Sequence, residues 1–274
     1  MSFSLTDKVA IITGASSGIG LAASEEFARN GARVVMASSN FENLEEKAER
    51  LKEKGYDVLP VKTDVSQEAQ CKILVEKTLQ MYGAIDILVN NAGISMRARF
   101  VDMDLEVIRK VMDVNFWGTV YCTRYALKHI IERKGTIVGV SSVAGFHGLP
   151  GRTGYSASKF ALHGFLETVR VENLKSGMHV MIIAPGFTRT NIRMNALTGD
   201  GSIQGESPRK EEKMMTPEYV AKWIVKGIKK RKRNKIMTWE GRFTALFQRI
   251  TPGLVDYAYY KAMLKEPGSP LAEK

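Results

Sequence analysis

Apolar residues along this chain fall into short unbroken runs separated by longer stretches with helical spacing. The run at residues 9–12 (Val9, Ala10, Ile11, Ile12) shows no polar alternation and is rich in β-branched side chains. A strand covered on both faces, as in a parallel sheet between helices, has this pattern. Similar runs at 33–37, 58–61, 85–89, 136–140 and 180–184 predict further strands, and 235–238 a seventh. Between them lie a helix ending at Asn30 before Gly31, a charged surface helix over 43–54 before Gly55, a helix over 67–81, and helices across 105–133. A glycine directly after the last helical residue is the usual C-terminal stop. Strands alternating with helices of this length make βαβ units, hence a doubly wound parallel sheet of about seven strands flanked by helices. Right-handed crossovers then put ligands at the C-terminal ends of the strands. No low-complexity linker divides the 274 residues, so 1–274 reads as one domain.

Two stretches depart from the pattern. Residues 191–215 are polar and glycine-containing, and they follow the sixth strand as either a mobile substrate lid or a surface insertion. After residue 238 the chain continues with Phe243, Leu246, Phe247 and Ile250 at helical spacing. A break at Thr251-Pro252-Gly253 follows, then a Tyr-, Leu- and Met-rich segment over 254–264. This predicts a C-terminal helical extension over 239–274, packed on the chain's own core or on a partner subunit. Two other placements are an amphipathic helix lying on a membrane and a cover over the substrate entrance.

An apolar fraction of 44% supports a true core and excludes a disordered chain. The two cysteines, Cys71 and Cys122, each sit in a predicted helix and read as reduced packing residues; no metal-ligand spacing occurs. Asp7 and Lys8 precede an apolar run too short to cross a membrane and without the order of a signal peptide. A cytoplasmic setting is expected, with membrane association through the tail left open. Much of the net charge of +11 lies in residues 229–235, Lys-Lys-Arg-Lys-Arg-Asn-Lys. The run reads first as a solvated helix end, where cations complement the helix dipole, and second as an anionic-membrane contact. No aromatic-interleaved or groove-binding motif accompanies it, so nucleic acid is not expected.

The candidate chemistry sits at strand ends. Gly14, Gly18 and Gly20, with Ser16, Ser17 and Ile19 among them, join the first strand to its helix, where a pyrophosphate would meet backbone N–H groups. The spacing is Gly-x-x-x-Gly-x-Gly, and alone it would fit a structural turn. Tyr155 and Lys159 are four residues apart in a credible helix and so share one face. A free phenol titrates near ~10, and a neighbouring ammonium lowers that value toward working pH, as acid–base catalysis requires. As a bare pair they would be commonplace on a surface.

Taken in order, Thr13-Gly14 with Gly18-Ile19-Gly20, Asn90-Asn91-Ala92-Gly93, Asn115, Ser142, Tyr155-x-x-x-Lys159 and Pro185-Gly186 resemble the short-chain dehydrogenase/reductase family over about the first 190 residues. The resemblance implies a Rossmann-like fold and hydride transfer between a nicotinamide cofactor and a carbonyl or secondary alcohol. Tyr155 would be the acid/base, and Lys159 would contact the nicotinamide ribose. Ser142, thirteen residues before Tyr155, would bind the substrate oxygen, with Ser141 structural. The Asn115 carbonyl would anchor a water leading to Lys159. Asp64 with Val65 would hold the adenine, and Asn90, Asn91, Ala92 and Gly93 would line its ribose. Ile183, Pro185, Gly186 and Thr188 would lie beside the nicotinamide. A homodimer or homotetramer is implied, and the extension is similar to those of steroid- and lipid-acting members. His147 and His163 read as satisfied histidines. Met96, Arg97, Phe146, Leu149, Phe187 and Met194 are candidate pocket walls, whose apolar bias suggests an apolar substrate.

Cofactor choice turns on Ser38-Ser39-Asn40 at the end of the second strand. An NAD enzyme usually places a carboxylate there for the ribose hydroxyl, and a carboxylate would repel a 2′-phosphate. Hydroxyls and an amide can donate to that phosphate, so NADP is preferred over NAD. The family's usual NADP-binding arginine is absent, however: Ser39 stands in its place, Ser17 where a Lys or Arg often stands, and Arg33 lies earlier on the strand. Two rivals remain. One is an epimerase or dehydratase of the extended branch, which keeps the Tyr and Lys but not this glycine spacing. The other is a non-enzymatic NADP-sensing or peripheral membrane protein using the basic run and tail.

Overall fold

A computed structural model describes residues 4–208 and 214–272. Seven strands, β1 (Val9–Thr13), β2 (Arg33–Ser38), β3 (Val58–Lys62), β4 (Ile87–Asn90), β5 (Thr136–Val140), β6 (His179–Ala184) and β7 (Asn234–Ile236), form one sheet in the order β3-β2-β1-β4-β5-β6-β7. Every neighbouring pair is parallel. The winding direction reverses between β1 and β4, which places the ligand crevice outside the ends of those two strands.

Nine α-helices among the described residues surround the sheet and its ends: α1 (Gly18–Arg29), α2 (Phe41–Glu53), α3 (Glu68–Tyr82), α4 (Leu105–Met112), α5 (Gly118–Glu132), α6 (Thr153–Glu172), α7 (Pro217–Lys229), α8 (Trp239–Phe247) and α9 (Pro252–Leu264). On one face, Ala10, Ile12, Val34 and Met36 meet Phe27 of α1, Leu44 of α2 and Ile224 of α7. On the other, Ile11, Val35, Leu88 and Ile137 meet Leu74 of α3, Ile130 of α5 and Leu166 of α6. All residues of β1, β5 and β6 are buried, which explains their lack of alternation.

Several boundaries differ from the sequence expectation for physical reasons. The fourth strand starts at Ile87 rather than 85, because Asp86 turns its buried carboxylate toward the Val9 N–H (3.0 Å), Lys8 Nζ (3.1 Å) and Arg133 Nε (3.1 Å). The last strand covers Asn234–Ile236, since Thr238 instead caps α8 by accepting the Gly241 N–H at 3.1 Å. The helical stretch 105–133 is interrupted at Asp113–Trp117 by one wide π turn, where Asn115 is drawn into the interior. Cys71 and Cys122 are buried as expected, but they also meet as free thiols across α3 and α5, 3.6 Å apart.

Residues 191–208 are built of turns and lie on the loop after β4: Leu197 N–H donates to the Ser95 carbonyl and Arg97 N–H to that of Leu197. The rest of the expected 191–215 insertion includes residues 209–213, which lie outside those described, as do 273–274 of the extension. The extension packs on its own chain. Val255 and Met263 of α9 are buried, Thr244 of α8 meets the Tyr259 hydroxyl at 2.9 Å, and Gly241 faces Val143. The basic run starts at the end of α7, makes up the turn that follows and enters β7, with Lys229 donating to Asn30 and Arg231 to the Gly177 carbonyl. No helix among the described residues is long and apolar enough to cross a membrane.

The Asp86 network fastens the N-terminal ends of β1, β4 and α5's exit to one another. Asp86→Ala should lower stability by about 2 kcal/mol, since it orphans a buried backbone donor while Lys8 and Arg133 keep access to water. Urea unfolding measures this, and a loss below about 0.5 kcal/mol would remove that role.

Candidate active site

The turn from β1 into α1 is shaped by contacts only glycine permits. Gly14 and Gly18 have φ of +65° and +52°, a region disfavoured for other residues. A Cβ on Gly20 would stand 2.1 Å from the Gly14 carbonyl oxygen, so the helix runs directly against the turn. Ser17 begins α1 without a side-chain cap, and the first turn holds no acid. Its N–H groups, with the positive end of the helix dipole, suit a phosphate. Arg189 and Thr190 from the loop after β6 line a shallow recess with Gly18 and Leu21, a basic neighbour the sequence reading missed.

The loop after β4 is tied to this turn by Thr13 and Asn91. Thr13 Oγ1 accepts the N–H groups of Asn91 and Ala92, both at 3.0 Å, and Asn91 Nδ2 donates back to the Thr13 carbonyl at 2.9 Å. Asn90 reaches the other way, donating to Thr123 on α5 at 3.2 Å. Gly93 stands between Asn115 and Lys159: a Cβ there would lie 3.2 Å from Asn115 Oδ1 and 3.6 Å from Lys159 Nζ.

Asn115 is held within the π turn by its side chain, which accepts from Ile94 N–H (2.8 Å) and donates to the Ile94 carbonyl (3.0 Å) and Ser158 Oγ (2.9 Å). Its own carbonyl accepts the Thr119 hydroxyl at 3.0 Å. Ser158 bonds the Tyr155 carbonyl, so Asn115 braces the first turns of α6. Lys159, buried, donates to the Val140 carbonyl at the end of β5 at 3.0 Å, with Nζ 5.7 Å from the Tyr155 ring centre. Ser142 Oγ takes the Ala144 N–H and hydrogen-bonds Tyr155, whereas Ser141 Oγ is engaged with His163 Nε2 at 2.7 Å. Asn115, Ser142, Tyr155 and Lys159 thus converge beside the glycine turn, at the strand ends.

Other expected residues have local partners. Ser38 is buried and pairs with Ser16 at 2.9 Å; Ser39 is exposed; the Asn40 side chain caps α2. Asp64 accepts from Ser66 N–H and Oγ, and Val65 is buried. Arg33 is removed from cofactor reach, at the opposite strand end near Asp7 (3.6 Å) and Asp57 (3.9 Å). In the loop after β6, Thr188 Oγ1 turns to the Gly186 carbonyl, and Gly186 packs on Thr238. His147 is buried against the tail, bonded to Gln248 at 2.6 Å and lying on the Tyr259 ring. Glu266, from the last residues, is also buried, 4.0 Å from both Arg97 and Arg152. Arg152 further donates to Ser95 and the Met96 carbonyl. Spacing gave no signal for these tail contacts, because their partners stand over a hundred positions away.

A family model described as short chain dehydrogenase matches residues 8–200. The chain is 35% identical over 267 residues to dehydrogenase/reductase SDR family member 7B of Danio rerio, covering 94% of this chain and 85% of that one. Among solved structures it is similar to a short chain dehydrogenase/reductase of Burkholderia phymatum in complex with NAD, with TM-score 0.83, 24% identity, and coverage of 92% and 96%. It is also similar to an alcohol dehydrogenase of Thermococcus sibiricus complexed with 5-hydroxy-NADP, with TM-score 0.74, 26% identity, and coverage of 84% and 94%.

Burial governs the electrostatics of the constellation. It pushes the Tyr155 phenol above its ordinary value, opposed by the Ser142 hydrogen bond and the Arg152 charge. Burial alone pulls Lys159 down to about 8. His163 falls to about 4, through burial and then the charges of Lys159 and Arg170, and so is neutral at pH 7. Because the folded value of Lys159 lies below its unfolded one, its charge costs stability fully below about pH 8, and the cost fades as pH rises toward the unfolded value. Lys159→Met should therefore raise the melting midpoint at pH 7 by at least about 2 °C, with the gain shrinking between pH 8 and ~10.4. Thermal melts across that range check both; a lower midpoint at pH 7 would show that the ammonium's hydrogen bond outweighs its desolvation.

Proposed function

The chain belongs to the short-chain dehydrogenase/reductase family of oxidoreductases, and from that premise we propose that it interconverts a carbonyl and a secondary alcohol. The observation that carries this reading is the convergence of Ser142, Tyr155 and Lys159 beside the uncapped start of α1. A nicotinamide cofactor would supply or accept the hydride. The glycine turn and bare α1 terminus fit its pyrophosphate, with Gly14, Ser16, Ser17, Gly18, Ile19 and Gly20 as the cradle. Asp64, Val65, Asn91, Ala92 and Gly93 would hold the adenosine half, and Pro185, Gly186 and Thr188 the other.

The protein's own groups manage the proton. The Ser142 hydroxyl donates to the substrate oxygen and stabilises its developing negative charge. Tyr155, kept neutral by burial, gives that oxygen its proton, which suits reduction. Lys159 stabilises the resulting phenolate and passes on a proton, as its value of about 8 allows near neutral pH. Asn115 sets the line toward solvent by bracing α6 and offering its carbonyl. Met96, Val107, Val111 and Leu197 form an apolar cluster against Tyr155, and this supports an apolar substrate. Exposed Trp117 and Phe160, close to the α5–α6 face, support a symmetric pairing of subunits.

We also assign the cofactor as NADP. No carboxylate ends β2, and Lys62, exposed at the end of β3, is the register partner of Ser38. It supplies the cation missing from the Ser39 position, as a point charge for a 2′-phosphate.

Two experiments test these readings. Tyr155→Phe should lower kcat at least a thousandfold on any carbonyl turned over, with cofactor Kd within about threefold of wild type by fluorescence titration; retained turnover would refute the role. Lys62→Ala should weaken NADPH binding about tenfold and leave NADH binding unchanged, an effect of about 1.4 kcal/mol. Equal loss for both cofactors, or none, would remove Lys62 from the 2′-phosphate site.

A further inference from the structure

Ten of the eleven net positive charges lie between Lys222 and Lys265, where twelve lysines and arginines face only Glu240 and Asp256. The fold gathers part of this excess beside α8. Lys235 lies within charge–charge range of Lys226, Lys232 and Arg242, and Arg242 is anchored by donating to the Ile236 carbonyl at 3.2 Å. Such a patch is costly to hold together in water alone and is relieved by an anionic surface.

The same region exposes an unusual amount of apolar surface. Trp239, Phe243 and Leu246 repeat at i, i+4 and i+7 on α8 and share one face, continued by Ile250 in the turn that follows. Leu254, Tyr257, Tyr260 and Leu264 extend the apolar surface along α9, which is fixed to the body mainly by Val255, Tyr259 and Met263. These eight side chains are 39% to 67% exposed. The Phe243 ring contacts both Trp239 and Phe247, so the stripe is a formed surface. Scattered single apolar residues need no partner, but a contiguous stripe of this kind does.

We propose that α8, its following turn and α9 form a peripheral membrane-binding surface for anionic lipid. The occupant follows from the pairing of features. Trp, Phe and Leu on one helical face suit the boundary between headgroups and acyl chains, and the lysines and arginines alongside suit acidic headgroups. A second copy of the chain would bring the same positive patch against itself, which disfavours a symmetric protein contact on this face. At nine and thirteen residues the helices are too short to cross the bilayer, so the contact lies in its plane. Because α8 packs on Val143 and Thr238 packs on Gly186, docking would set the substrate loops beside the lipid.

The test uses the whole chain, co-sedimented with vesicles of phosphatidylcholine alone or with about a third phosphatidylserine. Binding should appear on the anionic vesicles, be at least tenfold weaker on neutral ones, and fall steeply as salt rises. Phe243→Glu with Leu246→Glu, both at exposed positions, should weaken it at least tenfold again, with circular dichroism and thermal midpoint unchanged. Absence of vesicle binding by the wild-type chain would overturn the proposal. So would equal binding to both vesicle types, or a double variant that splits an oligomer in sedimentation velocity while vesicle binding is absent. None of these readouts requires turnover, so they stand apart from the enzymatic reading.

Discussion

Thr13 and Asn91 exchange hydrogen bonds across the gap between β1 and β4, and nearly everything at the upper edge of the sheet hangs on that exchange. One hydroxyl accepts two backbone N–H groups, and one amide answers to the carbonyl beneath them. The pair joins the glycine turn to the loop carrying Gly93, and Gly93 in turn is the spacer between Asn115 and Lys159. A shift of either loop would therefore move the glycine turn and the surroundings of Asn115 and Lys159 together. Small residues at Gly14, Gly20 and Gly93 are what allow three pieces of backbone to come this close.

The constellation is expensive to keep. A buried ammonium donates to the Val140 carbonyl, with the half-buried phenol of Tyr155 beside it. Both shifts have the same cause, loss of water, yet they act on opposite charge types: the phenol is held neutral and the ammonium becomes easier to deprotonate. These are the two changes that the proposed donor and relay would need near neutral pH. Under the proposed function, the stability lost by burying the Lys159 charge is the cost of its role as a relay.

The tail belongs to the site as much as to the surface. Gln248 and Tyr259 fix His147, and Glu266 sits by Arg97 and Arg152, so the loop between Ser142 and Tyr155 is clamped from residues beyond the last strand. The inner side of α8 and α9 thereby shapes the loop between Ser142 and Tyr155, while the outer side presents apolar and basic groups to the surroundings. Those two assignments follow from one amphipathic pattern: Val255, Tyr259 and Met263 turn inward, and Leu254 and Tyr257 outward.

Much of this was legible in the chain itself, because period and spacing are local. Unbroken apolar runs gave the strands to within a residue or two, since burial on both faces removes any alternation. Gly14, Gly18 and Gly20, together with Tyr155 and Lys159, could be read because a turn and a helix impose fixed intervals. Contacts between distant segments carried no such interval. The start of β4 after Asp86, the wide turn that draws in Asn115, the meeting of Cys71 with Cys122, and the closure of Glu266 on two arginines were decided by tertiary packing. So was the direction of the Tyr155 shift: sequence placed Lys159 near it, but only the fold shows that desolvation outweighs the Ser142 hydrogen bond and the charge of Arg152.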